Sequence, residues 1–401
     1  FLTPAHVQTN LIGNMPYPGF SALTRVAPAL EGKPQAVWSD PFPSTNPLIP
    51  VTGKALGRYT NLGGDAETDI LDFRANVNDR FNLTIQRDLV NKIVADVTYF
   101  FNLGRDLPYT QRFNLMDPQL SYTHKTLLNQ RVANPFFNYL TPDKFPGQLR
   151  NQAQVTLADL LKPFPQYGNV NQTNTPGVRE RYHSLQVKVQ RPFANGFNFL
   201  LSYNYNREWQ EEFFNVDQEF AGVFQFEPAT RPRHRMAVAG VYEFPFGRGR
   251  RYLAHTPGVV DAIVGGWTTS AIYYYNSGEL LRFNQMDVVG DPHIDNPSKW
   301  GLMFNPQAFK QSAAFTPRTN PKWFPGILGP GYKNMDVTLA KSFRLTERFQ
   351  LEFKMEAYNI SNTFSGANPN LSVTASTFGR VTGQVSGING REFQYNLKLH
   401  F

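Results

Sequence analysis

Within residues 287–295 (DVVGDPHID), Asp287, Asp291 and Asp295 lie close in sequence to His293, a set of oxygen donors that could ligate calcium. The spacing is not that of the twelve-residue helix-flanked calcium loop, and a polar turn around Gly290 and Pro292 accounts for the same residues. A second concentration is basic. Arg231, Arg233 and Arg235 flank His234, and guanidinium groups pair with phosphate or carboxylate through two parallel hydrogen bonds, so these three are candidates for contact with an anion. Arg248, Arg250 and Arg251 form a third cluster in what reads as a turn that they would solvate. The seven histidines are scattered without metal-ligand spacing. His183 and His234 fall in extended segments, where they are expected to face a wet interior with no visible partner. Nucleophilic chemistry has no support, since no GxSxG elbow is present and Gly247-Arg248-Gly249 does not open a phosphate-cradling helix. Cysteine is absent, which removes disulfides and thiolate metal sites. The expectation is a protein without enzymatic activity or a cofactor.

The elements that position these residues read as strands. At the C-terminus Phe393, Tyr395, Leu397, Leu399 and Phe401 alternate with Gln394, Asn396, Lys398 and His400. Successive strand side chains point to opposite faces, so this segment has one apolar wall and one polar wall. The same period recurs in Phe81, Leu83, Ile85; in Ile93, Ala95, Val97, Tyr99, Phe101; and in Leu185, Val187, Val189. It continues through Phe197, Phe199, Leu201, Tyr203, Tyr205, and again through Met335, Val337, Leu339 and Phe349, Leu351, Phe353, Met355. Two looser strands cover 235–246 and 265–276, so about nine are readable. Trp267, Tyr273, Tyr274 and Tyr275 are candidates for an aromatic girdle, where amphipathic rings meet a lipid–water boundary.

Aromatics make up 14% of the chain and charged residues 17%, against about 25% charged in ordinary soluble domains, so much of the surface is uncharged. No run of about 18 apolar residues could form a spanning helix. Without such helices, only a closed barrel satisfies the backbone in lipid. The net charge of +8 is diffuse and too weakly clustered for a nucleic-acid stripe, and no nucleic acid partner is expected. Long connections (104–180, 209–232, 278–333, 361–390) alternate with tighter ones near 90, 193, 247–263 and 346, with Thr346 and Glu347 in the last. That alternation predicts an all-β, antiparallel outer-membrane-type β-barrel with short periplasmic turns and long extracellular loops. A soluble β-sandwich, the competing fold, would bury its apolar faces against a second sheet. Residues 1–77 read as a loop-rich segment with weak strand signal in the same domain, and 78–401 as barrel strands and long loops.

Several stretches together resemble the C-terminal barrel half of Oar-like TonB-dependent outer-membrane receptors. They are 161–168 (LKPFPQYG), 181–189 (RYHSLQVKV), 195–204 (NGFNFLLSYN), 233–249 (RHRMAVAGVYEFPFGRG) and 265–273 (GGWTTSAIY). With them go 329–343 (GPGYKNMDVTLAKSF), 349–363 and 376–379 (STFG), so the resemblance covers most of the chain. It implies the outer membrane of a Gram-negative-type bacterium, passage or uptake of solutes driven through TonB, and no enzyme. It also implies that the terminal Phe393, Tyr395, Leu397, Leu399 and Phe401 pattern is the signal read by the barrel-assembly machinery. Partners expected on this reading are outer-membrane lipid or lipopolysaccharide, and other copies or a separate chain supplying the strands and plug such receptors have. The alternative is a structural, self-associating barrel subunit, in an oligomer or surface filament, without transport.

Overall fold

The computed structural model describes residues 53–71, 74–298, 300–346 and 348–401, with short pieces at 39–40, 42–44 and 47. Fifteen strands occur among these residues. They are β1 (Ala66–Asp69), β2 (Val77–Asp88), β3 (Val94–Arg112), β4 (Arg131–Ala133), β5 (Gln154–Thr156), β6 (Val170–Ala194), β7 (Phe197–Glu212) and β8 (Gln225–Pro228). The remainder are β9 (His234–Glu243), β10 (Trp267–Asn276), β11 (Asp287–Val288), β12 (Phe309–Lys310), β13 (Tyr332–Arg344), β14 (Gln350–Tyr358) and β15 (Glu392–His400). One antiparallel sheet runs β15-β14-β13-β10-β9-β7-β6-β3-β2, with β1 added parallel to β6 and β8 antiparallel to β7. The nine strands of that path are the nine readable from alternation. Residues 1–38, within the weak N-terminal segment, lie outside the described residues, as does Glu347 of the turn between β13 and β14.

Register turns the local alternation into two continuous faces. Leu83, Tyr99, Leu185 and Tyr205 stand opposite one another across four strands, and Ile85, Val97, Val187, Tyr203 and Met236 across five. Farther along the sheet, Leu339, Met355 and Tyr395 align, as do Lys341, Phe353 and Leu397. This belt is not covered: Phe81, Leu83, Ile85 and Leu397 are each 61–68% exposed. The soluble sandwich is thereby excluded. The opposite face carries Thr84, Thr98, Gln186 and Asn204, then Gln86, Asp96, Lys188 and Ser202, and at the C-terminal edge Glu352 with Lys398 and Glu356 with Gln394.

Short connections lie at one end of the sheet and long ones at the other. The β6–β7 hairpin closes on Asn195 and Gly196, whose φ values of 53° and 78° match the type I′ turn that suits strand twist. The 104–180 connection is shorter than the sequence suggests, because β3 continues to Arg112 and β6 begins at Val170. Register shifts between Gly104 and Leu107 and around Pro108 break the alternation there, so pattern alone reads this ladder as loop.

The densest apolar core is not in the sheet. Leu281, Phe283, Met286, Phe304, Phe309 and Phe324 from the β10–β13 connection enclose Phe378 from the β14–β15 connection. Phe304 is fully buried, and its ring centre is 5.2 Å from that of Phe378. A smaller apolar group, Leu128, Phe145 and Val155, lies in the β3–β6 connection.

Candidate functional site

The polar face and the loop ends above it form the candidate site. Along the wall, Thr84 and Thr98 hydroxyls lie 2.9 Å apart, Asn206 Nδ2 donates to Asn204 Oδ1 at 3.1 Å, and Asn396 Nδ2 donates to Glu356 Oε2 at 3.0 Å. Glu352 stands 3.3 Å from Lys354 and 3.1 Å from His400. These are hydrogen-bonding side chains of the kind that suit a water-filled interior.

At the loop end of β7 the wall meets the loops through charge. Glu212 accepts from Arg282 and lies 3.3 Å from Lys322 Nζ, which also donates to the Phe213 carbonyl at 2.6 Å. Arg318 lies over the Phe214 ring at 5.3 Å and donates to the Phe283 carbonyl at 2.6 Å. Burial lowers the pKa of Lys322 and of Arg318, and for Lys322 the Glu212 carboxylate offsets part of that effect. The cluster clamps the β10–β13 loop onto the barrel. Sequence reading missed it because Glu212 and Lys322 are 110 residues apart and neither stands in a recognisable motif.

The predicted site residues are only partly brought together. Arg231 lies 3.4 Å from Glu208 and lines a small pocket with Arg233, Asn206, Arg207 and Trp209. Arg235 instead stands on the polar wall of β9, opposite Asn204 and Asn276, so the three arginines do not converge on one anion. Asp287, Asp291 and Asp295 do not gather either. Asp287 pairs through β11 with β12 and accepts from Ser312 Oγ at 2.6 Å, while Asp291 binds its own neighbour His293. Among the described residues no group of three acidic or histidine side chains could hold a metal.

Trp267, Tyr273 and Tyr275 share the apolar face, whereas Tyr274 points to the polar one, as consecutive strand residues must. Trp267 lies eight residues from Tyr275, roughly 26 Å along the strand, so the four do not form one belt. Phe393, Tyr395, Leu397 and Leu399 pair with Ala357, Met355, Phe353 and Leu351 and remain exposed, and Phe401 follows at 95% exposure. His183 and His234 are corrected in face and in partnership. Both lie on the apolar side, where His183 Nδ1 is 2.7 Å from Tyr99 OH and His234 Nδ1 is 2.8 Å from Tyr203 OH. A tyrosine on the neighbouring strand hydrogen-bonds the Nδ1 of each ring.

A model of the outer membrane beta barrel domain matches residues 1–394, nearly the whole chain. The chain belongs to the outer membrane beta barrel domain family. It is an outer-membrane protein, with the apolar belt toward lipid, the polar face inward, and the short turns periplasmic. No helix is long and apolar enough to cross a membrane among the described residues, which says nothing of strands. A search of curated proteins finds no match. Among solved structures this barrel domain is similar to the outer membrane transporter YddB from Escherichia coli, at 9% identity and a TM-score of 0.40, covering 84% of this chain and 34% of that one. It is also similar to the ferric-catecholate import receptor Fiu from E. coli K12, at 11% identity and 0.36, covering 82% and 28%. A ferric enterobactin receptor from Pseudomonas aeruginosa matches at 10% identity and 0.37, covering 81% and 31%. The barrel domain thus spans about a third of the length of these proteins.

Proposed function

We propose that this barrel wall lines a path for solutes across the outer membrane, in a receptor of the Oar-like, TonB-dependent kind. The observation that carries the reading is the polar face, which runs from Thr84 on β2 through Gln186, Asn204, Arg235 and Asn276, is interrupted by Leu200, Ala239 and Ile272 on β7, β9 and β10, and resumes with Asp336 on β13 and Lys398 on β15. Side chains of that kind belong beside water, and the barrel geometry makes their side the interior. The ordered motifs between residues 161 and 379 support the receptor family, and the loop core above the wall supports a gated mouth.

The test is conductance of the full protein in planar bilayers. Lys188→Glu and Arg235→Glu, both on the polar face, are expected to shift ion selectivity toward cations. An unchanged selectivity in folded protein removes these residues from the path and the proposal with them. TonB coupling is tested separately, by uptake in cells with and without the coupling protein; equal flux in both leaves a passive channel.

A second reading, a self-associating structural subunit, is favoured by the two sheet edges. Neither β2 nor β15 has a strand on its outer side among the described residues, and lipid does not tolerate unpaired backbone. Mass measurement on native membranes separates the two: homo-oligomers joined through β2 and β15 support the subunit, and a single polypeptide closing the sheet supports the receptor.

A further inference from the structure

The connection between β9 and β10 is long for a periplasmic turn, and neither the sheet nor the polar path explains it. It holds a short helix, Gly258–Val264, preceded by a bridge between Phe246 and Tyr252. We infer that this turn is an anchor in the inner leaflet of the outer membrane, its helix seated among phospholipid acyl chains and its arginines on anionic phosphate headgroups.

The position of the helix carries the inference. Trp267 Nε1 donates to the Ile263 carbonyl at 2.9 Å, and Lys341 Nζ donates to the same carbonyl at 3.1 Å and to that of Gly265. Trp267 and Lys341 are register partners on the apolar face. The C-terminal carbonyls of the helix are therefore held from the lipid side of the wall rather than from over the lumen. Lys341 is 3% exposed on the apolar side, with its ammonium 4.9 Å from the ring centres of both Trp267 and Phe343. A lysine so placed is satisfied by the helix carbonyls and aromatic faces, which gives this charged residue of the belt a structural role.

What the helix presents outward is apolar. Val259 is 77% exposed and Ile263, one turn later on the same side, is 66% exposed; Val260, Tyr252 and Leu253 are exposed nearby. These side chains continue the lipid-facing belt beyond the end of the strands, which identifies acyl chains as what covers them. The basic residues complete the amphipathic pattern. Arg250 is paired with Glu243 at 2.8 Å, whereas the guanidinium groups of Arg248 and Arg251 form no ion pair among the described residues; the Asp261 carboxylate is held instead by the Arg248 backbone N–H at 2.6 Å. Arg248 donates to the Thr256 carbonyl at 3.0 Å, and Arg251 lies over the Tyr252 ring at 5.4 Å. Two guanidinium groups with unused donors beside an exposed apolar helix are suited to phosphodiester headgroups.

The absence of cysteine makes the test direct. Val259→Cys and Ile263→Cys are labelled singly with an environment-sensitive fluorophore, and the full protein is reconstituted into phosphatidylcholine bilayers with and without phosphatidylglycerol. Preparations are accepted when control labels at Leu397 and Gln186 report lipid and water, respectively. Labels at Val259 and Ile263 are expected to be quenched by spin-labelled lipid and shielded from aqueous iodide. Spin-labelled phosphatidylglycerol is expected to quench them more than the phosphatidylcholine analogue, and Arg248→Gln and Arg251→Gln each to reduce that preference about fivefold. Quenching by iodide and not by lipid overturns the inference. An anionic-lipid preference unchanged in both arginine variants overturns the headgroup contact.

Discussion

Tyr99 on β3 and His183 on β6 meet across the strand pair, hydroxyl to Nδ1 at 2.7 Å, on the face that looks into lipid. Polar groups at that depth have no water to fall back on, so each satisfies the other, and the Phe101 ring at 4.6 Å covers the imidazole. Tyr99→Phe is expected to cost about 0.6 kcal/mol, the mean for interior hydrogen bonds in membranes. A double-mutant cycle with His183→Phe in urea-driven unfolding from lipid measures the coupling. A coupling of zero would mean that the pair is packed but not bonded.

The direction of the belt is tested by charge. Leu185 and Gln186 are adjacent on β6 and face opposite ways. Leu185→Arg should destabilise the folded barrel by about 2–4 kcal/mol if near the midplane, whereas Gln186→Arg should change it little. Equal costs at the two positions would show that the faces have been assigned incorrectly.

The loop core should melt apart from the wall. Phe304→Ala removes a fully buried ring and is expected to cost about 3–5 kcal/mol of local stability. Hydrogen exchange reads the result. Protection should fall in the 277–331 and 359–391 loops and persist in β6 and β7.

His293 makes the outer loops sensitive to pH. Its two ring nitrogens face two acceptors, Asp291 Oδ1 at 2.6 Å and the Pro325 carbonyl at 2.8 Å, an arrangement satisfied fully only by the doubly protonated ring. The Pro325 carbonyl first, and the Asp291 carboxylate second, raise its pKa above the ordinary imidazole value. A raised value in the folded state means that the stabilisation is complete below the unfolded-state pKa and fades as pH rises through the folded one. Asp291, lowered by the His293 backbone N–H and then its ring, loses its share as pH falls through its own lowered value. Limited proteolysis of the 277–331 loop should therefore be slowest in mildly acidic buffer and accelerate toward alkaline pH. His293→Gln should remove the alkaline limb of that profile; an identical profile in the variant would assign it to other groups.

Much of the wall was legible in the chain itself. Alternation in strands depends on backbone geometry alone, so Leu397 and Lys398 or Phe353 and Lys354 announce opposite faces without any knowledge of neighbours. The same local rule placed long and short connections at alternate ends. Alternation fails as a guide where register slips, which is why Pro108 and its neighbours looked like loop although they belong to a ladder. It also fails where a residue's role depends on a neighbour in another strand. His183 lies 84 residues from its hydroxyl partner.

The sequence by itself determined the nine strands of the main sheet path, the alternation of their two faces and the outer-membrane fold, because each follows from the chemistry of adjacent residues. Only the tertiary structure decided which strands are neighbours, that Arg235 leaves its two companions, that Lys341 is satisfied by a helix, and that the tightest core lies in the loops. Those outcomes depend on contacts between segments distant along the chain. Such contacts arise from the packing of the whole molecule, and residue spacing carries no record of them.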